Sequence, residues 1–199
     1  MSDVLEQRLK GGDASVFGEL FTIHQPRIWQ IIHFRLQKQV RGRVDPDDVV
    51  QEVYIAAKQR LEHFSNGNFP SLFLWLRLVA GQTLSNIHRT HLGTEARSVL
   101  REANPIGAKI WGNTSLCLSQ KFIAHMTSPS QAAVRREMAD EIRQALDGMN
   151  EIDREVLALR HFEELTNKEV GIELGITSKA ASIRYMRALE RLRTIIEKL

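Results

Sequence analysis

Cysteine is almost absent: Cys117 stands alone among 199 residues. A single thiol cannot close an internal disulfide or complete a cysteine-based zinc site, which points to a reducing cytoplasm. With no activating group readable beside it, Cys117 is expected to be an inert thiol. Glycine is sparse, at 12 residues, and no Walker or dinucleotide glycine pattern occurs, which disfavours the nucleotide-fold enzymes. No stretch approaches the about 20 apolar residues of a membrane span. The opening Met1-Ser2-Asp3-Val4-Leu5-Glu6 has neither a basic n-region nor an apolar h-region, so no secretory leader is expected. Also missing are a Ser/His/Asp order and the paired carboxylates of hydrolytic chemistry, so no catalytic residue, and no cofactor, is expected. His88 and His91 are three apart but lack an evident third ligand, so no metal site is expected either.

What is present is an ordinary soluble composition, 43% hydrophobic and 26% charged, enough for a core. The charge is nearly balanced overall but unevenly placed. Residues 131–199 hold 12 basic and 13 acidic side chains, yet their last 23 residues hold 6 basic and 2 acidic. A basic helix ending an acidic segment suits a directed contact with a polyanion, although a solvated helix face would look the same.

Helical periodicity dominates, and no segment alternates with period two between hairpin turns, so the fold is expected to be all-α. A first helix over 3–10 should stop at Gly11-Gly12. Asp13 should cap a second, kinked or divided at Pro26. Asp45, followed by Pro46, should cap a third carrying Val49, Val50, Val53, Ile55, Ala56 and Leu61 on its apolar side. Ser65-Asn66-Gly67-Asn68-Phe69-Pro70 reads as a turn, and a strongly apolar helix follows from about Ser71 to Arg89. Residues 91–130, punctuated by Gly93, Pro105, Gly107, Gly112 and Pro129, read as a linker. The expected layout is therefore two small helical domains, 1–90 and 131–199, joined by that linker.

The most specific local signal runs from Thr166 to Tyr185 and reads as a helix-turn-helix. Thr166 can cap the first helix, with Glu169 at the capping-box position. Val170 and Leu174 face inward, Gly175 allows the left-handed turn, and Ile176 plugs the space between the helices. Thr177 or Ser178 caps the second helix. That helix would present Ser178, Lys179, Ser182, Arg184, Tyr185 and Arg187, while Ile183 and Met186 pack inward. Lys168 and Thr177 join these as candidate DNA contacts. A helix of this kind fits the major groove, with its early residues at base edges and its arginines on phosphates, although a helical hairpin that binds protein is the alternative.

The preceding Asp153-Arg154-Glu155-Val156-Leu157-Ala158-Leu159-Arg160-His161-Phe162 and the following Ala188-Leu189-Glu190-Arg191-Leu192-Arg193 make this half closely resemble region 4 of bacterial sigma-70 family factors. Three N-terminal segments continue the likeness. Gly12 to Phe21 looks like region 2.1, Asp47-Asp48-Val49-Val50-Gln51-Glu52-Val53-Tyr54 like region 2.2, and Phe73 to Ala80 like the start of regions 2.3 and 2.4. With regions 2 and 4 alone, over roughly 10–90 and 131–197, the chain resembles the extracytoplasmic-function group. It departs from the family in having Met149-Asn150 for a usual Leu-Pro, Gln82 for a usual Asn, and a slightly long turn between Phe64 and Trp75.

The resemblance implies a cytoplasmic, non-catalytic transcription initiation factor with core RNA polymerase and promoter DNA as partners, and an anti-sigma factor as a candidate third. It places polymerase binding on Asp45, Asp47, Asp48, Gln51 and Glu52, where acidic and amide groups suit an arginine-rich surface. Asp47 and Asp48 could equally serve the helix dipole alone. Engagement and melting of the minus-10 element would fall to Asn66, Asn68, Trp75, Arg77, Gln82, Asn86 and Arg89, with Phe69 nearby, although Trp75 on so apolar a helix also suits a core. The minus-35 element would be read by the helix-turn-helix. A ligand-sensing regulator with the same C-terminal module is the alternative; it should bind duplex tightly alone, whereas a free sigma factor should bind it weakly.

Overall fold

The computed structural model describes residues 2–92, 114–126 and 132–197, and among these no strand occurs. The chain divides into two compact units, Met1–Ile110 and Trp111–Leu199.

In the first unit, α1 (Ser2–Lys10) ends where Gly12 adopts φ +95°, a left-handed conformation that glycine takes without Cβ strain. Asp13 then caps a short 3₁₀ turn by accepting from the Ser15 amide. Bonds from the Ser15 hydroxyl and from Arg8 hold its carboxyl below the usual carboxylate range. Helix α2 (Phe17–Arg35) runs unbroken through Pro26, which is exposed. The expected division there does not occur: Leu20, Phe21, Ile28, Ile31 and Ile32 are buried on both sides of the proline, and that packing keeps the helix continuous.

After α3 (Lys38–Arg41), α4 (Pro46–Lys58) begins as expected, with Pro46 in its first turn and the Asp45 carboxylate accepting from the Asp47 amide at 2.9 Å. Its Val49, Val50, Val53 and Ala57 are buried against α2 and α6. Ile55, expected on that apolar side, is 54% exposed instead. It lies two residues from Val53 and from Ala57, so it points away from the face those residues share. Helix α5 (Leu61–Asn66) leads into α6 (Leu72–Leu92), which is buried on nearly every side because it packs against α2, α3 and α4.

The second unit starts inside the stretch read as linker. The described part of 91–130 includes α7 (Thr114–Met126), whose Cys117 and Leu118 are buried; 93–113 and 127–131 lie outside the described residues. Its helical period was hidden in the sequence because Ser115 and Ser119 occupy buried positions beside Leu118. Helix α8 (Ala132–Asp147) packs on α7. Next comes α9 (Glu151–Leu157), which widens into a π turn over Ala158–Phe162. Then follow α10 (Asn167–Leu174) and α11 (Ser178–Ile196). Two buried ties fix α9: Val156 and Leu157 in the core, and a 2.6 Å bond donated by the Thr114 hydroxyl to the buried Glu155 carboxylate.

The Met149-Asn150 departure has a local explanation. Met149 is buried, and the Asn150 side chain accepts from the Ile152 amide at 3.0 Å, capping α9. Arg154 then donates back to the carbonyls of Leu146 and Asp147, at 3.1 Å each, and closes the end of α8.

Candidate nucleic-acid interface

Three surfaces carry the candidate residues. On α4, Asp45, Asp47, Asp48, Gln51 and Glu52 are all exposed. Positions 48, 51, 52 and 55 share one face by helical spacing, so the exposed Ile55 sits within the acidic and amide patch. Sequence reasoning assigned that isoleucine to the core; its spacing from Asp48 and Glu52 was the signal that could have placed it outside.

The second surface is concave. A cavity of about 540 Å³ is lined by Arg60, His63, Asn66, Gly67, Phe69, Trp75, Leu78, Val79 and Gln82. Its aromatic wall, Phe69 and Trp75, is backed by Phe64, which lies 5.3 Å from Trp75 and 6.3 Å from Phe69, centroid to centroid. Gly67 is required in that wall, since a Cβ there would lie 2.5 Å from the His63 carbonyl oxygen and from the Phe69 ring. Arg60 donates to the Gln82 side-chain oxygen at 2.8 Å and links the two lips. Gln82 therefore reaches an arginine across the opening.

Helix α1 braces this loop in a way the sequence did not disclose. The Glu6 carboxylate accepts from the Leu72 amide at 2.9 Å and so caps α6 from a distance of 66 residues. The Ser65 hydroxyl donates to the Leu9 carbonyl at 3.3 Å. Lys10 donates to the Phe69 carbonyl at 3.4 Å and stands 5.5 Å over the Phe64 ring.

The expected minus-10 residues thus separate. Asn66 and Asn68 are exposed, and Asn66 and Gln82 line the cavity. Asn86 and Arg89 are exposed and joined by a 2.9 Å bond from Arg89, one turn apart. Trp75 and Arg77 are each only 2% exposed. Arg77 belongs to the core rather than to a contact surface, because α6 is enclosed by its neighbours over that turn. Trp75 is likewise a core residue, though it supplies part of the cavity wall. His88, near the end of α6, accepts from the Gln37 amide through Nε2 at 3.4 Å, and burial lowers its pKa to about 4.

The third surface is the helix-turn-helix, whose joints match the expected chemistry. Thr166 and Glu169 form a complete capping box, and Gly175 adopts φ +65°. The Thr177 hydroxyl accepts from the Ala180 amide at 3.1 Å and caps α11. Gly171, which sequence reasoning passed over, is needed too: a Cβ there would meet the Ile176 carbonyl oxygen at 2.7 Å.

Along α11 the inward positions are Ala181, Ala188 and Leu192. Ile183 and Met186, expected inward, are instead 43% and 57% exposed, because the helix is turned so that the small Ala181 faces its neighbours. Lys168, Thr177, Ser178, Lys179 and Arg187 are exposed and Ser182 half-buried. Arg184 and Tyr185 are engaged within the unit. Arg184 pairs with Asp153 of α9 at 2.7 Å, and the Tyr185 ring lies 5.4 Å from the Arg160 guanidinium, with its hydroxyl 3.5 Å from His161 Nδ1.

Among the described residues, no group of three or more His, Cys, Asp or Glu could hold a metal ion, and no helix is long and apolar enough to cross a membrane.

Comparison with known proteins gives a consistent answer. Residues 145–194 match the family described as sigma-70, region 4. The chain is 25% identical to the extracytoplasmic-function RNA polymerase sigma factor SigW of Bacillus subtilis, over 94% of this chain and 92% of that protein. It is 24% identical to the RNA polymerase sigma-H factor of Pseudomonas aeruginosa, over 98% and 93%. It is 23% identical to the RNA polymerase sigma factor CarQ of Myxococcus xanthus, over 97% and 96%. A solved structure of CnrH in complex with the cytosolic domain of CnrY shares the fold, with a TM-score of 0.51, 19% identity and coverage of 98% and 96%. The described residues are thus helical throughout apart from turns, and the chain matches sigma-70 region 4 over 145–194 and is similar from end to end to extracytoplasmic-function sigma factors.

Proposed function

We propose that the protein is an RNA polymerase sigma factor that binds core polymerase and directs promoter-specific initiation. The observation that carries this reading is the end-to-end likeness, at more than nine-tenths coverage, to proteins named as sigma factors. Each expected surface has a physical counterpart that supports it. The exposed patch of Asp48, Gln51, Glu52 and Ile55 on α4 combines carboxylates for arginine pairing with an apolar group that adds desolvated contact.

The cavity beside Trp75 and Phe69 suits a base of the minus-10 element lifted from its stack. Unstacking costs a few kcal/mol, and an aromatic-walled pocket lipped by Arg60, Asn66 and Gln82 can offset that cost by stacking and by hydrogen bonds to base edges. Asn68, Asn86 and Arg89 lie exposed on the same unit for further strand contact. The helix-turn-helix would read the minus-35 element. CnrH is solved in complex with the cytosolic domain of CnrY, and a protein partner of that sort, an anti-sigma factor, is proposed here as well.

The test is run-off transcription by purified core polymerase with and without the protein, beside a pull-down of polymerase. The protein should confer initiation at a defined start site, and the double variant Asp48→Arg, Glu52→Arg should lose most polymerase binding, by about 2–5 kcal/mol if the pairs are central to the interface. Unchanged capture of polymerase by that variant, or tight operator binding by the free protein without polymerase, would favour the stand-alone regulator instead.

A further inference from the structure

The outward turn of Ile183 and Met186 gives the reading helix a chemistry that its polar residues do not. Helical spacing places Lys179, Ser182, Ile183 and Met186 on one strip, opposite the buried Ala181, Ala188 and Leu192. A single exposed apolar residue needs no explanation, but two successive ones along the solvent face of a docking helix do.

Their surroundings select the partner. Between Glu173 and Glu190 the chain has no acidic residue, and its charged side chains there are Lys179, Arg184 and Arg187. Arg184 is held by Asp153, so Lys179 and Arg187, both exposed, flank the apolar pair. Cations around an apolar strip suit a polyanion that carries apolar groups between its phosphates. Duplex DNA meets that description in the major groove, where thymine alone presents a methyl group. Isoleucine has no donor or acceptor and so cannot read the hydrogen-bonding edges; a methyl is the one base feature it can recognise.

We propose that Ile183 and Met186 are specificity-determining residues that pack on thymine 5-methyl groups in the major groove, while Lys179 and Arg187 hold the strip against phosphates. The proposal rests on α10 and α11 being the duplex reader, and it adds the base type that this reader prefers.

Deoxyuridine, which differs from thymidine by that methyl alone, tests it. Holoenzyme assembled from core polymerase and the full chain is first used to select a preferred upstream element from a randomised library. Each thymine of that element is then replaced in turn by deoxyuridine, and promoter-complex affinity is measured for the parent, Ile183→Ser and Met186→Ser. At one or two positions the parent should lose about fourfold in affinity, the order expected for one buried methyl. At those positions a serine variant should bind weakly and respond no further to the replacement.

A parent that depends on the upstream element yet ignores deoxyuridine at every position overturns the proposal and leaves the sigma-factor reading intact, without reliance on any variant's folding. Equal deoxyuridine sensitivity of the parent and both variants overturns it too. So does release of a co-purifying protein by the serine variants with promoter responses unchanged, which would make the strip a protein-docking surface. A parent with no upstream preference at all overturns the duplex-reader assignment, and the proposal with it.

Discussion

The two candidate DNA-contacting surfaces are built on opposite plans. In the first unit the cavity exists because packing makes it: Phe64 is fully buried, Trp75 is 2% exposed, and a glutamate from α1 caps the helix that carries the wall. In the second unit the α11 strip exists because packing leaves it alone; its side chains stand on a helix whose core face is Ala181, Ala188 and Leu192. A concave site of this kind couples binding to stability, since the aromatic wall that would stack a base is also core. A convex strip separates the two. Removing the aromatic wall should therefore destabilise the first unit, whereas removing a strip residue should leave the second unit's fold untouched.

The largest expected effect tests that coupling. Trp75→Ala should cost the fold about 3–5 kcal/mol, the usual range for deleting a buried tryptophan. Lys179→Ala, on the exposed strip, should change stability by less than about 0.5 kcal/mol while weakening promoter binding and flattening its salt dependence. Chemical denaturation followed by circular dichroism, paired with promoter affinity in holoenzyme, separates the two. Similar stability losses in both variants would erase the distinction between the surfaces.

A smaller effect comes from His88, at the far end of the same buried helix. Its pKa in the folded chain lies near 4, against about 6.5 when unfolded, because burial disfavours the charged ring. Between those values the unfolded chain binds the extra proton, so stability is fully present above pH 6.5 and falls as the pH drops towards 4. The loss should approach about 3 kcal/mol once the pH is below 4, as 1.36 kcal/mol accompanies each unit of difference. His88→Gln keeps an acceptor for the Gln37 amide but does not titrate. It should flatten the acid slope of the first unit, and parallel slopes for parent and variant would show that the histidine is not the group responsible.

How legible these surfaces were in the sequence follows from the same contrast. Helix ends set by local chemistry were readable: Asp45 with Pro46 and Thr166 with Glu169 at starts, and Gly175 at a C-terminus, all act as their spacing indicated. Features that depend on which way a helix is rotated were not. Ile55, Ile183 and Met186 looked like core by composition, yet a helix turned by one residue trades them for a small or β-branched neighbour such as Ala181 or Val53. Arg77 looked like a contact by charge and is buried where neighbouring helices enclose that turn of α6. Long-range braces, such as Glu6 on Leu72, leave no local signature at all. The π turn after α9 and the buried serines of α7 hid in the same way, because both break the period that reveals a helix.

The smallest effect concerns how the strip is aimed. Glu164, between the π turn and α10, has φ +55°, a left-handed conformation that costs a residue with a Cβ about 1–2 kcal/mol. It turns the chain from α9 into the capping box at Thr166, and so helps set the direction in which α10 and α11 leave the core. Its side chain is exposed, so replacing it should change little beyond the backbone preference. Asparagine tolerates the left-handed region through its short polar side chain, without the unfolded-state entropy of glycine. Glu164→Asn should therefore stabilise the second unit by about 0.5 kcal/mol. Glu164→Val, whose branched side chain disfavours positive φ, should destabilise it by at least that much. Thermal melts of the two variants beside the parent decide the sign. A shift of the same sign in both would mean that the turn does not hold this residue left-handed, and that the direction of α11 is set by the Asp153–Arg184 pair and the α9–α11 packing instead.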